Sequence, residues 1–275
     1  MTVASLPTLE LRKRVISQSL MDDFEWYVKY ASGAYQPACP HPNGKELVKQ
    51  FSISSTNTQG FVARDDSREE IIIAFRGSLQ IEDYIRDAEF WFTKYESPGV
   101  TDATGMVHSG FLEAYNSAVP TVLSEVKSQL DSYPSYSLVV TGHSLGGSLA
   151  SLGGVSLVSN FPGVPLRVYT FGQPRTGDPE FADLVEKVVG AENIFRATET
   201  YDGVPKLFPM WLGYRHHGTE YWVSKDPNTD PENVVKCSGQ EDPNCSDSIL
   251  STGVNDAHLR YFGQRMETNP LVCYE

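Results

Sequence analysis

Apolar and polar positions along the chain change period several times, and each change marks an element. Over residues 15–34, Leu20, Phe24, Tyr27, Val28 and Ala31 recur at helical spacing and predict one long amphipathic helix. Residues 51–54, 60–64 and 70–75 then read as strands, with Asp65-Asp66-Ser67 as the hairpin turn between the last two. The run Ile71-Ile72-Ile73-Ala74-Phe75 is apolar on both faces, as a central buried strand requires. Residues 79–92 return to a helical period: Ile81, Tyr84, Ile85 and Ala88 share one face, while Glu82, Asp83, Arg86 and Asp87 fill the other. The aromatic group Phe90, Trp91, Phe92 and Tyr95 follows, and a loop rich in proline and glycine ends at Gly105.

A helix is expected from His108 to Leu130. Beyond it, a strand at 138–141, a small-residue helix at 146–158, a strand at 166–171, a helix at 178–189 and a strand at 193–197 alternate. That alternation builds βαβ units and hence a parallel segment within a larger sheet. Residues 220–224 read as a late strand, and His258 as the start of a helical run toward Phe262. With no repeat and no linker, residues 1–275 are expected to form a single α/β domain.

Charge narrows the function. A net charge of −13 without a basic stripe argues against nucleic acid, and equally against docking onto anionic lipid. No apolar run reaches the length of a membrane span. Residues 1–7 have neither the basic nor the apolar region of a signal peptide, so any leader is expected to have been removed already. Arg12-Lys13-Arg14 reads equally as a processing site, making residues 1–14 a pro-segment, and as a solvated basic patch. None of the four cysteines lies in a C-x-x-C or a histidine cluster, so no zinc site is expected. Cys237 and Cys245 flank a short polar loop, which leaves Cys39 and Cys273 to staple the two ends. Two disulfides and secretion are the expectation, with four buried thiols as the alternative. Asn244-Cys245-Ser246 is a formal glycosylation sequon.

The stretch Leu138-Val139-Val140-Thr141-Gly142-His143-Ser144-Leu145-Gly146-Gly147 runs from a β-branched strand through a tight turn into a helix, and contains G-x-S-x-G. In a nucleophile elbow the two outer glycines let backbone segments approach closely, and the serine hydroxyl stands clear of the sheet before a helix N-terminus. There the Leu145 amide points at an oxyanion. No phosphate-cradling glycine pattern overlaps the turn. The order nucleophile, acid, histidine then selects downstream residues. Asp202 lies in a turn just past a strand end, where sites assemble in parallel sheets; Asp178 looks like a helix cap and Asp183 like a solvated charge. Of six histidines, His41 and His108 come too early, the side chain of His143 points away from that of Ser144, and His216-His217 reads as loop packing. His258 fits the order.

The segments Ile73-Ala74-Phe75-Arg76-Gly77-Ser78, Val107-His108-Ser109-Gly110-Phe111, Thr141 to Gly147, Tyr169 to Arg175, Asp202-Gly203-Val204-Pro205, Glu220-Tyr221-Trp222 and Asp256-Ala257-His258 occur in that order. Together they resemble the secreted filamentous-fungal lipases (class 3 lipases), a family that also holds feruloyl esterases. The resemblance implies an α/β-hydrolase fold, a triad of Ser144, Asp202 and His258, and an oxyanion hole from Ser78 and Leu145. It also implies a lid at about 79–92 and a supporting role for Asp87 behind Ser78. The expected chemistry is ester hydrolysis through an acyl-enzyme, needing no metal or cofactor. The apolar stripe of the lid favours a triacylglycerol lipase over a feruloyl or other carboxylesterase, because exposing each such side chain costs about 1.5–3 kcal/mol in water. Leu207, Phe208, Met210, Trp211, Val254 and Leu259 are the expected acyl wall. The expected partners are a lipid ester and an oil–water interface, met by a monomer; a non-catalytic lipid- or wall-binding relative is the third alternative.

Overall fold

The computed structural model describes residues 14–78, 91–101, 103–267 and 269–274. The first helix, α1 (Gln18–Gly33), starts where Ser17 accepts a hydrogen bond from the Leu20 amide, three residues later than the periodicity alone suggests. It is followed by β1 (Glu46–Ile53), β2 (Thr58–Asp65) and β3 (Glu70–Phe75). The short strands β4 (Phe92–Lys94) and β5 (Met106–His108) pair with each other ahead of α2 (Ser109–Ser132). Then come β6 (Ser137–His143), α3 (Leu145–Asn160), β7 (Leu166–Phe171), α4 (Pro179–Val185), β8 (Ile194–Glu199), β9 (Glu220–Val223) and β10 (Val234–Lys236).

One eight-stranded sheet carries the fold, in the order β1-β2-β3-β6-β7-β8-β9-β10. Its interior pairs, from β3/β6 to β8/β9, are parallel, and antiparallel strands close both edges. This is the α/β-hydrolase architecture. Along β3 the side chains alternate between two cores. Ile71, Ile73 and Phe75 pack under α2 and α3, while Ile72 and Ala74 pack under α1. Both faces are covered, so the strand is apolar from Ile71 to Phe75, and the buried Glu70 at its start is paired with Arg167.

Three expectations change. β1 begins at Glu46 because pairing with β2 extends it beyond its few buried positions. The helix expected over 178–189 is capped by Asp178 but loosens into a wide turn at Glu186–Gly190. The helical run expected from His258 is absent: successive turns lead into the hairpin β11 (Arg260–Tyr261) and β12 (Gln264–Arg265). Its two-residue turn, Phe262-Gly263, takes φ of 46° and 72°, the left-handed pair that tightly closes an antiparallel hairpin. Disulfides join Cys39 to Cys273 and Cys237 to Cys245, and the second includes the cysteine of the sequon. Among the described residues no helix is long and apolar enough to cross a membrane. Residues 79–90, hence Ile81, Tyr84, Ile85, Asp87 and Ala88, lie outside the described residues, as do 1–13.

Candidate active site

β6 ends on the elbow. Ser144 has φ 58° and ψ −128°, a strained conformation for a residue with a side chain, between the strand and the first turn of α3. The turn is possible only at close backbone approach. A Cβ on Gly142 would come within 2.2 Å of the Gly146 carbonyl oxygen, and one on Gly146 within 2.2 Å of the Phe75 carbonyl oxygen. Both glycines are therefore obligatory. Leu145 is the first residue of α3, where backbone amides have no partner within the helix. The register pairs Phe75 with Gly142, so Arg76-Gly77-Ser78 leaves β3 alongside the elbow. The two segments whose amides the sequence nominates thus lie next to each other.

Asp202 is reached from β8, three residues beyond its end, and is 1% exposed. Its carboxylate takes three hydrogen bonds: the Val204 amide to Oδ1 at 2.9 Å, His258 Nδ1 to Oδ2 at 2.8 Å, and the Tyr261 hydroxyl to Oδ2 at 2.6 Å. A carboxylate only accepts, so the His258 proton sits on Nδ1 and its Nε2 presents a lone pair. His258 is held at the other end of its backbone, where its carbonyl accepts from His143 Nε2 at 2.7 Å. The His143 and His258 rings lie 4.4 Å apart, placing the second imidazole beside the elbow. Ser144 Oγ and His258 Nε2 are both buried, and neither has a hydrogen-bond partner among the described residues. Such contacts commonly close only when substrate arrives.

The six acyl-wall candidates divide. Phe208 is buried, with its ring 4.8 Å from His108, 5.6 Å from Phe111 and 5.1 Å from Tyr214, and Leu207 packs against the same core. Burial lowers His108 to about 4, so this aromatic nest carries no charge at neutral pH. Met210 and Trp211 instead stand on a 3-10 turn at 48% and 82% exposure. Val254 and Leu259 are half-buried near the histidine. His216 and His217 are buried loop residues, bonded to the Pro205 carbonyl and to Gln173.

The sequence reading missed Tyr261, which completes the shell of Asp202 across 59 residues. It also missed Tyr35, which meets His143 Nδ1 at 2.7 Å across 108 residues. Neither residue stands in a local pattern that announces its partner.

Comparison with known proteins places this geometry. The family model described as Lipase (class 3) matches residues 72–211, which span β3, the elbow and the turn bearing Asp202. The chain belongs to the class 3 lipase family. Its relatives there include a secreted mono- and diacylglycerol lipase of Fusarium solani, 30% identical over 98% of this chain and 84% of that one. A lipase of Rhizomucor miehei is 39% identical over 82% of this chain, which spans only 61% of that protein's length. Among solved structures, a triacylglycerol lipase from Penicillium expansum superposes with a TM-score of 0.87 at 29% identity, over 95% of this chain and all of that one.

Proposed function

We propose that this class 3 lipase is a secreted enzyme hydrolysing acylglycerol esters at an oil–water interface, with Ser144 as nucleophile, His258 as base and Asp202 as its orienting acid. The observation that carries the reading is the 2.8 Å bond between Asp202 Oδ2 and His258 Nδ1 beside a serine held at positive φ. With Nδ1 protonated, His258 Nε2 takes the Ser144 proton as Oγ attacks the ester carbonyl carbon. The tetrahedral oxyanion is received by the amides of Ser78 and Leu145. His258 returns the proton to the departing alcohol, and water then repeats the cycle on the acyl-enzyme. All side chains of the site come from one chain, so a monomer suffices.

The mono-, di- and triacylglycerol lipases among its relatives support acylglycerols as substrates, and two disulfides with secreted relatives support an extracellular enzyme. The stripe Ile81, Tyr84, Ile85 and Ala88 supports a lid over residues 79–92 that opens against oil, with Asp87 bracing Ser78. Leu207 and Phe208 bound the acyl side of the cleft, with Val254 and Leu259 flanking the histidine, and Met210 and Trp211 lie outermost.

A fluorophosphonate probe should label the wild type at Ser144 and leave Ser144→Ala unlabelled. The variant should lose about 10⁴-fold or more in ester turnover with its thermal midpoint unchanged. Emulsified long-chain triglyceride should be cleaved faster than methyl ferulate, with a rate jump when a short-chain triglyceride passes its solubility limit. A preference for the ferulate would move the chain to the esterase branch of the family, and retained turnover in Ser144→Ala would overturn the triad.

A further inference from the structure

The inference rests on the triad reading above and concerns how its two sides are kept in register. Tyr35 lies just past the end of α1, 5% exposed, and belongs to none of the segments that carry the chemistry. Its hydroxyl nonetheless reaches the middle of the site. The oxygen packs directly against the Gly77 backbone, so closely that a Cβ at Gly77 would stand only 2.0 Å from it. The same hydroxyl meets His143 Nδ1 at 2.7 Å, and His143 Nε2 meets the His258 carbonyl oxygen at 2.7 Å.

Chemistry sets the direction of every link. A carbonyl only accepts, so His143 Nε2 carries the proton. Burial holds the His143 ring well below its ordinary range, with the neighbouring His258 adding to the effect, so the ring is neutral and carries one N–H. Nδ1 must then accept, and the Tyr35 O–H must donate. The result is a one-way chain, Tyr35 O–H to His143 Nδ1 and His143 Nε2–H to the carbonyl of His258, with the Gly77 backbone packed against the phenol oxygen at its start.

We infer that Tyr35 is a positioning residue whose hydroxyl, through His143, ties the oxyanion loop at Gly77-Ser78 to the turn carrying His258. His143, at the elbow and turned away from the nucleophile, is the link between them. The two supports of the transition state arise from separate strand ends, and the chain sets their spacing before substrate binds. Errors of about 1 Å in such spacing can cost about a hundredfold in rate.

Tyr35→Phe keeps the ring and removes only the hydroxyl. On a soluble short-chain ester it should lower kcat by about tenfold or more with KM within about twofold, and slow fluorophosphonate labelling of Ser144 in proportion. His143→Phe should show a similar loss, and the double variant should be no worse than the poorer single, because both break one chain. His143→Gln, whose amide can donate to the 258 carbonyl and accept from Tyr35, should recover most of the rate. An unchanged kcat in Tyr35→Phe with only a lower thermal midpoint overturns the inference, and so do additive losses or a Gln variant as poor as Phe. Failure of the wild type to label at Ser144 would instead sink the triad reading, so the two outcomes stay distinct.

Discussion

Ser144 and Asp202 are each 1% exposed, yet they are held by opposite means. The serine is fixed through its backbone, at positive φ between two glycines, while its hydroxyl makes no hydrogen bond among the described residues. The aspartate is fixed through its side chain, whose oxygens take three donors. A nucleophile has to keep its reactive atom uncommitted while the path of that atom is set. An orienting acid has to hold one charge in one place and never move. In the triad proposed above, the first need is met with a strained turn and the second with saturation.

The contrast can be broken most severely at the acid. Asp202→Asn replaces an acceptor-only group with one that offers donors to a shell already made of donors, and lets His258 take the wrong tautomer. Its kcat should fall about 10³–10⁴-fold on a soluble ester, with fluorophosphonate labelling slowed alongside. A loss below tenfold would mean that Asp202 does not orient the base. Tyr261→Phe removes one donor of three, and should cost about tenfold in kcat while the Val204 and His258 bonds hold the carboxylate. If kcat is unchanged, saturation is incidental.

The smallest expected effect sharpens the contrast at a second carboxyl close by. Glu199 is 3% exposed, and burial pushes it up to about 8 although Asn228 donates to it at 3.1 Å. Between the ordinary carboxylate range and pH 8 the folded state therefore holds a proton that the unfolded chain has released. The associated stability is complete at low pH and is lost as pH rises through about 8. Glu199→Gln cannot lose it, so its thermal midpoint should gain on the wild type by a few degrees between pH 5 and pH 8 and level off above. A difference independent of pH would show that Glu199 is already ionised when folded, adding a second buried charge near Asp202.

What the sequence made legible follows the same division. The elbow is local: strand, glycines, serine and helix start all lie within ten residues, and their chemistry can be read in a line. β3 was legible for a related reason, since its run Ile71–Phe75, buried on both faces, has no polar position to blur it. Asp202 and His258 could be chosen by order along the chain, but the shell around them could not. Tyr261 and Tyr35 act across sequence gaps that only the folded sheet closes. The false helix after His258 has a different cause. Its apolar spacing suits a helix, and the deciding signal was one glycine in the turn Phe262-Gly263, which a periodic pattern overrides. The acyl wall mixed buried and exposed residues because a stretch of apolar side chains says nothing about which way a surface turn faces.

The turn Met210–Leu212 carries one further consequence. Met210 and Trp211 are exposed on it, next in sequence to the aromatic nest of Phe208, while Leu212 packs against the core. Substitutions at these two exposed positions change the surface of the molecule rather than its buried triad residues. Over generations, preference among esters can drift at this rim while the glycines at 142 and 146 stay frozen, so descendants of one ancestor would diverge in diet before they diverge in chemistry.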